Sequence, residues 1–122
     1  MTPTAQPVDS RELARRSFIA IQQPGSEDLA ELVHPEFRNW EADGPAVDLR
    51  GPEALRAAID MLNLAFSELR YEVLELIAER DVVAVRIVMH GVHTGPMRDL
   101  APSGKTFAQS QSHWYCCCNR AL

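Results

Sequence analysis

Lysine occurs once in this chain of 122 residues, at Lys105, and cysteine only as the run Cys116–Cys118. Three adjacent thiols cannot form an internal disulfide framework, and zinc-ligand patterns need spacer residues that this run lacks. Twelve basic residues stand against seventeen acidic ones, for a net charge of -5, and none of the basic residues gather into a tract. A surface of that kind does not neutralise a row of phosphates or settle on an acidic bilayer, which argues against nucleic acid and membrane as partners. No apolar run approaches a membrane span. The first nine residues lack the basic-then-apolar pattern of a secretory signal, so a cytoplasmic protein is expected. No Ser, Cys or Thr sits at a glycine-framed nucleophile turn. The segment Ser103-Gly104-Lys105-Thr106 lacks the upstream glycine of a phosphate-cradling loop and is better read as a hairpin connection.

What is present is a core-forming composition, 46% hydrophobic and 24% charged, long enough for one domain. A flexible head, residues 1–9, precedes a single domain over 10–122. Asp9 or Ser10 can accept from the first free amides of a helix running to about Ala20, with Leu13, Ala14, Ser17, Phe18 and Ile21 as its core stripe. Ser26 is expected to open a short helix through Leu29, Leu32 and Val33 that stops at His34-Pro35. A short strand is predicted over Phe37–Ala42, turned by Asp43-Gly44-Pro45, with Val47–Arg50 returning beside it. Gly51-Pro52-Glu53 starts the strongest helix, in which Leu55, Ile59, Leu62 and Phe66 repeat at helical spacing. Its broad apolar face predicts that it lies across a sheet and closes one side.

The second half changes period. Arg70–Ala78 is ambiguous between helix and strand, but Tyr71, Val73 and Ile77 favour a strand. Asp81 to His93 holds a strand apolar on both faces, and a third runs from Thr106 to about Cys117. Helices followed by hairpin-linked strands make an α+β domain with a curved antiparallel sheet.

Alternation places Gln109, Gln111, His113 and Tyr115 on one face of the third strand, opposite Ala108, Ser110, Ser112 and Trp114. In the preceding strand Val83, Val85, Ile87, Met89, Gly91 and His93 share a face. A polar row beside an apolar one forms a pocket mouth, although an open sheet would show the same row by exposing it. His113 is the candidate proton donor or acceptor, because imidazole exchanges protons near neutral pH; a hydrogen-bonded strand histidine is the alternative. Gln109, Gln111 and Asn39 can hold or polarise a carbonyl without adding charge. Trp40, Met61, Tyr71, Met89 and Trp114 can line an apolar cavity or fill the core. His90 and His93, three apart, point to opposite faces and do not share a metal. His34 is placed to cap helix carbonyls, and Asp48, Asp81 and Asp99 lie near turns.

These residues resemble the SnoaL-like polyketide cyclase family within the nuclear transport factor 2-like superfamily. The likeness rests on Leu76–Arg80 followed by Asp81–Val85, on Gly91, His93, Thr94 and Gly95, on Pro102–Lys105, and on His113 in the next strand. The N-terminal helices, Phe37–Glu41 and the Gly51-Pro52-Glu53 helix start add to it. The resemblance implies cone-shaped helices on a strongly curved antiparallel sheet, an apolar cavity and homodimers formed through the sheet. It implies cofactor-free acid/base enolate chemistry, cyclase-like or isomerase-like, on an apolar small-molecule carbonyl compound; no metal is expected. His113 matches the family's strand histidine, and Asn39 approximately its polar residue on the first strand. Family members continue into a final strand that carries a catalytic aspartate. This chain instead reads Cys116, Cys117, Cys118, Asn119, Arg120, Ala121, Leu122, so a C-terminally truncated domain without that strand is expected. Asp48 or Asp99 would then have to supply the acid. The competing expectation is a non-catalytic small-molecule-binding or dimerising protein on the same fold.

Overall fold

The computed structural model describes residues 9–40, 42 and 44–116. The head Met1–Val8, Glu41 and Asp43 of the predicted strand and turn, and Cys117 with the residues after it lie outside the described residues. Three α-helices lead into a three-stranded antiparallel sheet of order β1-β2-β3.

Helix α1, Ser10–Gln22, is capped by the Asp9 carboxylate, which accepts from the Arg11 amide at 3.0 Å. Its predicted stripe is buried: Leu13, Ala14, Ser17 and Phe18 are at most 3% exposed and Ile21 is 9% exposed, and Ala20 joins them. It runs two residues past the expected end at Ala20. The Gln22 side chain explains this, since its amide donates back to the Phe18 carbonyl at 3.1 Å. Helix α2 is a single turn, Leu29–Leu32, capped by Asp28 rather than opened by Ser26. It is held to α1 by Arg16, which pairs with Glu27 at 2.7 Å and Glu31 at 3.2 Å.

Two expectations fail between the helices. Residues 37–40 and 42 form no strand, and the expected return over Val47–Arg50 is not a strand either: Val47 and Asp48 end a 3-10 helix, Gly44–Asp48, and Leu49 and Arg50 are irregular. The backbone groups are satisfied locally instead. Phe37 donates to the His34 carbonyl, Ala42 to Asn39 and Leu49 to Ala46, while the Phe37 carbonyl accepts from Gly51 at 2.8 Å. His34 does not cap helix carbonyls; its Nδ1 accepts from the Glu36 amide at 3.0 Å.

Helix α3, Pro52–Ala65, starts at Gly51, whose φ of 64° and distance of only 2.7 Å from a built Cβ to the Pro35 carbonyl oxygen demand glycine. It buries Ala54, Leu55, Ile59 and Ala65 and passes without a loop into β1, Phe66–Glu79. Phe66, predicted as the last helical apolar residue, is therefore the first of the strand. The Ala65 carbonyl accepts from both Thr94 and Gly95, tying this corner to the end of β2.

Strands β2, Val82–His93, and β3, Thr106–Cys116, follow as predicted. Strand β1 carries register shifts at Ser67/Arg70 and at Val73/Glu75, with Glu68 at φ 54°. Such bulges bend a strand and sharpen its twist, which curls the sheet around α1. The concave face presents Val83, Val85, Ile87 and Met89 of β2, all at most 5% exposed, and packs them on Leu13, Phe18, Leu32 and Val33. Burying each large apolar side chain is worth about 1.5–3 kcal/mol. This core fixes the sheet's inner surface.

Candidate functional site

Register decides which side chains meet. Tyr71 of β1 lies opposite Met89 of β2, which lies opposite Gln109 of β3; Ile87 pairs with Gln111, Val85 with His113 and Val83 with Tyr115. All project onto the concave face, because residues two apart along a strand share a side. The β3 row that alternation predicted is therefore laid beside the apolar row of β2.

Within it, a relay of hydrogen bonds runs along β3. His113 Nε2 is 2.8 Å from Gln111 Oε1, and Gln111 Nε2 donates to Gln109 Oε1 at 2.8 Å and toward Met89 Sδ at 3.8 Å. Since the Gln111 amide nitrogen serves those two acceptors, its oxygen is left to accept from His113, which places a proton on Nε2. The Tyr71 hydroxyl donates to the same Met89 sulfur at 3.1 Å. The His113 ring stacks on Tyr115, with centroids 6.3 Å apart and planes 13° from parallel. Burial, with a smaller contribution from Tyr115, pushes the Tyr71 phenol well above its usual pKa of 10.0, so it stays protonated and remains a donor.

The residue above this group is Phe18 of α1. Its ring centroid is 5.2 Å from that of Tyr71 and 5.6 Å from that of His113, edge-on to the latter. Helix α1, and not α3, thus supplies the aromatic cover over His113. Helix α3 packs on β1, α1 and α2, because its direct run into β1 pins it to that side of the sheet. The α1 cover is fixed by two amides. Gln22 Oε1 accepts from the Tyr71 backbone at 3.1 Å, and Asn63 Nδ2 donates to the Ile21 and Ile59 carbonyls at 2.9 Å.

The structure brings Tyr71, Met89, Gln109, Gln111, His113 and Tyr115 together on one face. Three of the other sequence candidates stand apart from them. Trp114, 74% exposed, lies on the opposite, convex face of the sheet. Trp40 is 80% exposed under the Arg38 guanidinium, which lies 4.2 Å from its ring centroid, and Met61 is 49% exposed on α3. Asn39 is half-buried in the irregular segment before Trp40. Asp48 and Asp99 are exposed, in the 3-10 helix and in the loop between β2 and β3. Phe18 was legible only as a core residue, because its contact with His113 crosses from helix to sheet. Gln22 gave no signal beyond its place at a helix end. His90 and His93 do diverge: His90 lies 3.7 Å from Glu72, while His93 Nδ1 meets Ser103. Among the described residues, no group of three or more His, Cys, Asp or Glu side chains could hold a metal ion, and no helix is long and apolar enough to cross a membrane.

The pattern that describes SnoaL-like polyketide cyclases matches residues 12–119, from the first turn of α1 to beyond the end of β3. The chain belongs to this family, within the nuclear transport factor 2-like superfamily. It is 33% identical over 103 residues to the aklanonic acid methyl ester cyclase DnrD of Streptomyces peucetius, spanning 84% of this chain and 71% of that one. To the aklanonic acid methyl ester cyclase AcmA of Streptomyces galilaeus it is 33% identical over 100 residues, 81% of this chain and 69% of that one. The structure of TsrD from Streptomyces laurentii shares the fold, with a TM-score of 0.75 and 23% identity over 90% of this chain and 81% of that chain. This kinship supports a cyclase-type enzymatic role for the SnoaL-like chain.

Proposed function

We propose that this SnoaL-like chain is a cofactor-free cyclase of an apolar, polycyclic carbonyl compound, with His113 as its proton-exchanging group. The observation that carries the reading is the Gln109-Gln111-His113 relay on the concave face beneath Phe18. In this chemistry a base takes a proton from the carbon beside a carbonyl, and the C–H electron pair forms an enolate whose charge rests on oxygen. The enolate carbon then attacks a second carbonyl carbon of the same molecule, and the new alkoxide takes up a proton. Imidazole can serve in both transfers. Neutral amides and phenols beside it stabilise the oxygen anion without competing for the proton.

The kinship with aklanonic acid methyl ester cyclases makes aklanonic acid methyl ester the first compound to assay. Cyclisation by the parent chain and a loss of about 100-fold or more in His113→Ala, with binding retained, is the expected result. Equal rates in parent and variant refute the assignment of His113. Binding without turnover in the parent identifies a non-catalytic carrier instead.

A second copy of the chain is the proposed partner of the convex face. There Ile77 and Trp114, 63% and 74% exposed, flank a groove of about 160 Å³. That is smaller than the roughly 300 Å³ at which small-molecule pockets begin. The Glu75–Arg86 ion pair beside it, 2.8 Å across, offers one charge of each sign. Under two-fold symmetry each charge can meet its opposite on the other copy.

A further inference from the structure

Two hydrogen-bond donors converge on one weak acceptor. Tyr71 Oη and Gln111 Nε2 approach Met89 Sδ from neighbouring strands, at 3.1 Å and 3.8 Å. A thioether accepts hydrogen bonds poorly, and a phenol withdrawn from water ordinarily finds an oxygen. The sulfur sits at the end of an unbranched, flexible side chain that can withdraw. What β1, β2 and β3 hold in place is thus a pair of donors aimed at one point, with a displaceable atom occupying it.

We propose that Met89 Sδ marks an oxyanion site, in which Tyr71 Oη–H and Gln111 Nε2–H bind the enolate or alkoxide oxygen of the substrate once the methionine swings aside. The assignment rests on the concave face being the carbonyl-binding surface. It gives Tyr71, which sequence reasoning counts as apolar lining, a polar task. An oxygen anion is a much stronger acceptor than a thioether, so both hydrogen bonds strengthen as negative charge develops. Donors preset at that point need no reorganisation when the charge appears. Gln111 keeps its bonds to Gln109 and His113 throughout, because an amide nitrogen carries two hydrogens and its oxygen remains on the imidazole. Proton exchanger and oxyanion donors are therefore parts of one relay.

The test uses para-nitrophenol as an enolate mimic, titrated into the full chain and followed by the visible absorption of its phenolate, with para-nitroanisole as the uncharged control. The parent is expected to bind the phenolate. Tyr71→Phe should weaken it about tenfold or more and leave the anisole unchanged. Met89→Leu, which preserves volume and removes the sulfur, should bind it as tightly as the parent or more tightly. Tyr71→Phe binding the phenolate as well as the parent overturns the proposal, and so does a parent that does not bind it. A parent that binds the phenolate through Tyr71 yet cyclises nothing leaves the oxyanion site standing and removes the cyclase reading alone.

Discussion

Phe18 is the residue on which core and site meet, being 2% exposed and in ring contact with both Tyr71 and His113. Phe18→Ala is expected to cost about 3–5 kcal/mol by urea unfolding, and Phe18→Leu, which leaves a smaller void, distinctly less. A cost below about 1 kcal/mol would show that the ring does not close the core over His113. The period of two along β3 made the His113 row readable in advance, since strand geometry alone sorts side chains by face. Phe18 could be placed in the core by its helical spacing but not over His113, because the offset between a helix and the sheet beneath it is set by packing. The exposed Trp40 and Met61 show the converse: an apolar side chain is not by itself evidence of a cavity wall.

At the scale of elements, α2 has only four helical residues and is held by its contacts rather than by its own hydrogen bonds. Arg16 clamps it through Glu27 and Glu31, and Glu27 raises the guanidinium's pKa most of all. Glu27→Gln is therefore expected to lose about 1 kcal/mol in low salt and less at high ionic strength, measured by urea midpoints. The corner where α3 becomes β1 is tighter. A Cβ on Gly95 would overlap the Leu64 carbonyl, so Gly95→Ala should lower the thermal midpoint, whereas Gly104→Ala, with open space around it, should lower it less. The long helices and β2 and β3 were legible because their periodicity runs over many residues. The segment around 37–50 was not: its short alternation mimics a strand, and only the absence of a neighbouring strand, a tertiary fact, decides that it turns on itself.

For the molecule as a whole, α1 and the bulged β1 define an inner surface, and the convex side leaves Ile77, Val82 and Trp114 outside. Concentration-dependent sedimentation should show self-association that Trp114→Lys removes; a monomer at every concentration would dispose of the convex-face pairing. The buried Tyr71 phenol gives an alkaline signature. Its folded pKa lies above the ordinary 10.0, so the folded state holds the proton longer than the unfolded one. The stability this contributes is complete below about pH 10 and is lost as pH rises toward the folded value. Urea midpoints should fall across that range in the parent and fall less steeply in Tyr71→Phe. The proposed cyclase activity depends on His113 working at the inner surface. Its most direct test is the initial rate of ring closure, at saturating polycyclic carbonyl substrate, of the parent and of a folded His113→Ala chain. A proton-exchanging His113 makes the variant slower by about two orders of magnitude or more, and equal rates would contradict that role.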